Sequence, residues 1–217
     1  MNKLPIILLF LISLNSFGQS TYLKGDGLVS VNLDSFPTIE LFKEITDTEP
    51  TQTIIVYDDK EIKSFNIENL ESISKEWFKP IHIHLDYFIF YFQCSVVEKD
   101  WYQIVVNEQT NLKLWVKKSA DLEYIKWEKF ISGVTAVRPI QADINPIRQE
   151  PNVNSNLTNH QFIDCLAPIE VQGDWMKVKV EPAVCDKTFE MEELEYVEGF
   201  IKWKNDNKLL INYWLLL

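Results

Sequence analysis

Glycine is scarce in this chain of 217 residues, which contains only six. Loops that cradle phosphate groups need several closely spaced glycines, and the sequence has no such cluster. It also lacks a Gly-x-Ser-x-Gly motif, which presents the nucleophile of many serine hydrolases. These absences disfavour a nucleotide-binding protein and a serine hydrolase.

Positive charge is also in short supply. Lys and Arg number 21 against 32 Asp and Glu, which gives a formal net charge of −11. A surplus of carboxylates repels nucleic-acid backbones and anionic lipids, although it also serves solubility alone. We therefore expect no nucleic-acid partner.

The sequence contains three cysteines, so one thiol is left over if two of them form a disulfide. Alternation along the segment YFIFYFQCSVV groups Cys94 with aromatic residues, as a small buried hydrophobe. Cys165 and Cys185 flank the segment QGDWMKVKVE, on what should be neighbouring strands, and we predict a disulfide between them; two separate buried thiols are the alternative.

An apolar run opens the chain. Lys3 precedes the run Leu4–Leu14, and the small residues Ser16 and Gly18 stand just before Gln19. This pattern predicts a signal peptide over residues 1–18, too short to span a bilayer. We expect an exported protein, periplasmic or extracellular, with no membrane span in the mature chain.

The rest of the sequence indicates mostly β structure. Short segments rich in Val, Ile, Phe, Tyr and Trp alternate with Asp, Asn, Gly and Pro clusters, a spacing typical of small β-barrels or sandwiches. Helical spacing occurs at 66–77 and, more weakly, at 122–130.

One phrase occurs twice in the chain. The segment EKDWYQIVVN at 98–107 leads to LKLWVKK, and QGDWMKVKVE at 172–181 leads to EGFIKWK. Upstream, FPTIELFKE matches INPIRQEPN more weakly. A repeat of this length is a domain, so we predict two tandem modules, 19–131 and 132–217, the first carrying a helical insertion.

The second copy, GDWMKVKV followed by GFIKW and preceded by INPIRQEPNVNSN, resembles the bacterial SH3-like (SH3b) domain. The resemblance covers most of 140–205 and, more loosely, 36–60 and 95–119. It implies two small, strongly bent antiparallel barrels in tandem. It also implies binding modules for cell-wall peptide or glycan.

Alternation along the repeated strands places both motif tryptophans, Trp101 and Trp175, among polar side chains. Trp115 and Phe200 fall on the same polar faces if the following strands pair with them. Such aromatic pairs form stacking platforms, so we predict these four residues as ligand-binding. The alternative is that the insertions or the other module cover the rings.

Two further patterns suggest chemistry. His82, His84 and Asp86 alternate along a strand and could hold a metal, but the sequence shows no second ligand cluster, and we expect solvated histidines, no metal and no cofactor. His160 near Cys165 suggests a Cys/His nucleophile, yet such a cysteine normally opens a helix rather than lying in a strand.

These features predict an exported, non-catalytic binding protein that recognises cell-wall peptide or glycan, or another envelope component. Two alternatives stay open. One is a structural or assembly protein of the envelope that acts through protein–protein contacts, and the less favoured one is an amidase-like Cys/His hydrolase.

Overall fold

The structure, a computed structural model, describes residues 22–158, 165–181, 185 and 197–216. The predicted signal peptide and His160 lie outside the described residues. The described part is mostly β, as predicted, with antiparallel sheets. None of its helices is long and apolar enough to cross a membrane.

Strands account for most of the described elements. Those of the first half are β1 (Gly27–Val31), β2 (Thr38–Phe42), β3 (Gln52–Asp59), β4 (Ser64–Ile67), β5 (His82–His84), β6 (Ile89–Val97), β7 (Trp101–Asn107), β8 (Leu112–Lys117) and β9 (Leu122–Lys126). Those of the second half are β10 (Ala136–Pro139), β11 (Leu166–Gln172), β12 (Trp175–Val180), β13 (Glu198–Lys202), β14 (Lys204–Asn205), β15 (Lys208–Leu209) and β16 (Ile211–Trp214). The α-helices of the described part are α1 (Leu70–Glu76) and α2 (Trp127–Ile131).

The two halves share one order of strands. The first sheet contains the run β9-β1-β6-β7-β8, and the second sheet runs β16-β10-β11-β12-β13. In each half the first strand pairs with the last, and the three middle strands form a meander. The strands β2, β3 and β4 extend the first sheet beyond β8. Within the described residues neither sheet closes on itself, so the two barrels stay a prediction.

The meanders also share an irregularity. The first strand of each contains a β-bulge, between Cys94 and Val96 in β6 and between Pro168 and Glu170 in β11. The bulge stands the same number of residues before the motif tryptophan in both halves. The repetition in the sequence thus has a counterpart in the strand pairing.

Two hydrophobic cores hold the described part together. The first core, which contains Phe90 and Ile104, lies against one face of the first sheet. The second core lies between one face of the second sheet, helix α2 and outward-facing side chains of the first sheet. β1 is buried on both faces, because Val29 enters the first core and Leu28 the second. The strands before residue 131 thus belong to the first sheet and those after it to the second, although helix α2 packs in the second core. The module boundary stays a prediction.

The two predicted helices have different outcomes. α1 lies inside the predicted range 66–77. The helix predicted over 122–130 is wrong in its first part, because Leu122–Lys126 forms β9 and the helix begins at Trp127. β9 lies between two cores, so Leu122 is buried on one face while Ile125 packs on the other. Burial on both faces hides the alternation that identifies a strand.

Candidate functional site

The repeated hairpins place the predicted ligand-binding residues in equivalent positions. Trp101 and Trp115 lie on one face of β7 and β8 as diagonal neighbours. Trp175 and Phe200 have the same relation on β12 and β13. Each motif tryptophan also faces a lysine directly across its strand pair. The structure therefore brings together the two members of each predicted pair.

All four rings are half-buried. The opposite faces of the same strands are buried, with Tyr102 and Ile104 in the first core and Met176 and Val178 in the second, as alternation predicts. The rings are therefore neither enclosed by the other half of the chain nor fully exposed. Each keeps part of its surface open to solvent.

Trp101 forms part of the wall of a cleft of about 400 Å³. Its ring meets Phe42 edge-on, with the centroids 5.3 Å apart and the planes at 85°. The cleft lies where β2 and β8 part, since within the described residues the two strands pair only at Leu41 and Phe42. From Thr38 to Glu40, β2 pairs with β3 on one side, so its other edge faces the cleft.

Charged side chains of both signs line the cleft, namely Glu40, Asp47, Lys117, Lys118 and Asp121. Lys117 is exposed and lies directly opposite Trp101. The ammonium of Lys118 stands 4.7 Å from the centroid of the Tyr102 ring, within cation–π range. A ligand in the cleft therefore meets an aromatic ring, ammonium groups, carboxylates and a strand edge.

In the second half, the segment 145–148 occupies the position that corresponds to the cleft. The amide of Asn145 donates a hydrogen bond to the carbonyl of Lys202 (2.7 Å) and accepts one from its N–H (3.0 Å). Arg148 exchanges two main-chain hydrogen bonds of 2.9 and 2.7 Å with Phe200. The segment 145–148 thus lies along β13, whereas β2 diverges from β8. Trp175 keeps a cation–π contact with Lys202, whose Nζ is 5.7 Å from the ring centroid.

Phe42 and Asn145 were missed by sequence reasoning. The weak match between FPTIELFKE and INPIRQEPN was the available signal, because both segments lie beside the last strand of their meander. The match does not indicate where each segment diverges from the last strand of its meander. That divergence creates the cleft in one half and the Asn145 contact in the other.

The cysteines lack the properties of a nucleophile. A disulfide joins Cys165 to Cys185, as predicted, and leaves Cys165 without a thiol. Cys94 is buried, and its burial raises the pKa of the thiol to about 12. Since the thiolate is the attacking species, a Cys/His hydrolase finds no activated cysteine in these positions.

His82 differs from the predicted solvated histidine. It is half-buried, and a 2.7 Å hydrogen bond joins its Nε2 to the hydroxyl of Tyr213 in the second half. Its ring stacks on Phe130, with the centroids 6.0 Å apart. Burial, with a smaller contribution from the charge of His84, lowers the pKa of His82 to about 4. The described residues contain no cluster of three or more His, Cys, Asp or Glu side chains placed to hold a metal.

Comparison of the chain with protein-family models, with curated proteins and with solved structures finds no match. Conclusions about function therefore depend on the residues and geometry given above.

Proposed function

We propose that this chain is an exported, non-catalytic binding protein of two SH3-like modules, which recognises cell-wall peptide or glycan in the cleft beside Trp101. The observation that carries the proposal is the cleft itself, where β2 and β8 part beside a half-buried indole ring.

The composition of the cleft favours the peptide portion of the wall. Wall peptides carry both amino and carboxyl groups, which complement the mixed charges of Glu40, Lys117 and Asp121. The edge of β2 over Thr38–Glu40 offers main-chain groups to an extended peptide, the usual way in which a peptide adds to a sheet. The ring of Trp101 supplies apolar contact that either a peptide or a sugar can use.

The shared strand order supports the modular part of the proposal. In both halves the first strand pairs with the last and a three-stranded meander lies beside the first strand, as two copies of one module would have it. The disulfide fits an exported protein, because such bonds persist in oxidising compartments.

The test is co-sedimentation of the exported chain (residues 19–217) with purified insoluble cell wall. We expect saturable retention that Trp101→Ala weakens by about tenfold, the effect of losing a central aromatic contact. Trp175→Ala is the matched control, because Trp175 occupies the equivalent position beside a filled edge. Thermal melts of both variants verify that the fold is intact.

Two results would contradict the proposal. Equal losses of retention in the two variants would show that the cleft beside Trp101 is not the binding site. Absence of retention would favour the envelope assembly role, in which protein partners replace the wall. Where the wild type is retained, competition by soluble wall peptides or by wall glycan distinguishes the two candidate ligands.

A further inference from the structure

Two turns of the first half have the same sequence pattern, Leu-Asp-x-Phe, at 33–36 and 85–88. Each forms a short 3-10 helix whose leucine is buried in the first core. Each ends at a phenylalanine, Phe36 or Phe88, whose main-chain N–H donates a hydrogen bond to the carbonyl of that leucine. The same turn conformation therefore occurs twice in the first half.

The phenylalanines of the two turns lie on the surface, on either side of a third ring. Phe36 is 45% exposed and Phe88 is 59% exposed. The ring of Phe65, from β4, lies between them, with its centroid 5.6 Å from that of Phe36 and 5.0 Å from that of Phe88. We call Phe36, Phe65 and Phe88 the aromatic patch. None of the three lines the Trp101 cleft.

Backbone strain accompanies the exposed rings. Phe36 and Phe88 have φ values of 48° and 59°, in the left-handed region where glycine and asparagine are favoured and bulky residues are rare. Both strained residues carry a large apolar ring that stays partly in solvent, although each ring also contacts Phe65. Such residues concentrate at binding sites.

The charges around the patch identify its partner. Asp34 and Asp86 are exposed, each two residues before one of the outer rings, Phe36 and Phe88, while the exposed Lys63 stands two residues before the middle ring, Phe65. Asp58 lies directly across from Phe65 in the β3–β4 pair and forms an ion pair with Lys60. A second copy of the chain would bring the same carboxylates, and anionic lipid would be repelled.

We propose that the aromatic patch docks a basic polypeptide segment of another protein in the same compartment. Arginine side chains stack on the faces of Phe36 and Phe88, and their guanidinium groups donate hydrogen bonds to Asp34 and Asp86. This surface is separate from the Trp101 cleft, so the inference does not depend on the wall-binding function.

The probe is a synthetic peptide of alternating Gly and Arg, titrated calorimetrically into the exported chain at physiological salt. One double variant, Phe36→Asn with Phe88→Asn, removes two rings and keeps both carboxylates. A second, Asp34→Asn with Asp86→Asn, removes the charges and keeps the rings. We expect each to raise the Kd by about tenfold. The control is Ile144→Asn, because Ile144 is 68% exposed in the second half and should leave the Kd unchanged.

Stability distinguishes a docking role from a structural one. Because asparagine tolerates positive φ, the relief of backbone strain should offset the lost contacts with Phe65, and the phenylalanine double variant should melt close to the wild-type temperature. A marked drop in its Tm would assign the rings to the fold and overturn the inference. If the phenylalanine double variant bound the peptide with wild-type affinity, the rings would play no part and the inference would fail. The inference would also fail if the wild type did not bind the peptide.

Discussion

Acid should weaken the contact between the two halves through His82. Its imidazole lies 2.7 Å from the Tyr213 hydroxyl, and burial lowers its pKa from 6.5 to about 4. Above about pH 6.5 the ring is neutral in both the folded and the unfolded chain. As the pH falls, the unfolded chain takes up its proton first, so the free energy of unfolding decreases until the folded ring also protonates near pH 4.

The pKa shift sets the magnitude of this effect. A shift of one pKa unit corresponds to ~1.4 kcal/mol, so the full loss is about 3 kcal/mol. Roughly 2 kcal/mol of it should appear between pH 7 and pH 5, where most carboxylates remain ionised. Urea unfolding at the two pH values measures the loss. His82→Gln, which keeps a hydrogen-bonding group but does not titrate, should remove most of it.

The matched control is His84→Gln, because His84 is exposed on the same strand and should leave most of the pH dependence intact. The reasoning is refuted if wild type and His82→Gln lose equal stability between pH 7 and pH 5. It is also refuted if His84→Gln abolishes the loss.

Three further predictions concern stability and reactivity. Replacing Cys165 and Cys185 by serine should lower the free energy of unfolding by about 3 kcal/mol, since the cysteines are 20 residues apart in sequence; equilibrium urea unfolding would show it, and an unchanged midpoint would contradict it. Cys94 should resist a thiol reagent in the native chain and react once after unfolding without reductant; rapid native labelling would disprove its burial. Asn145→Ala removes two hydrogen bonds to Lys202 and should cost about 2 kcal/mol in thermal or urea unfolding, whereas a neutral result would show that the contact is dispensable.

The hairpins were predictable because their signal is local. A strand alternates with a period of two residues, so the pattern around Trp101 and Trp175 determines which side chains enter a core and which stay outside. The disulfide was predictable for a related reason, because Cys165 and Cys185 flank the hairpin of β11 and β12.

The remaining features depend on contacts between distant segments. His82 looks like a surface residue until Tyr213, 131 residues away in sequence, packs against it. The cleft depends on where β2 leaves β8, and no local pattern marks that point. Left-handed backbone at Phe36 and Phe88 contradicts residue preference, so only the repeated Leu-Asp-x-Phe pattern could have indicated it.

The central claim is that ligand binds beside Trp101 and not at the equivalent place in the second half. Amide hydrogen exchange of residues 19–217, with and without soluble fragments of digested cell wall, tests it most directly. We predict slower exchange over Thr38–Phe42 and at the end of β8, with β12 and β13 unchanged. Slower exchange confined to β12 and β13 would contradict the account.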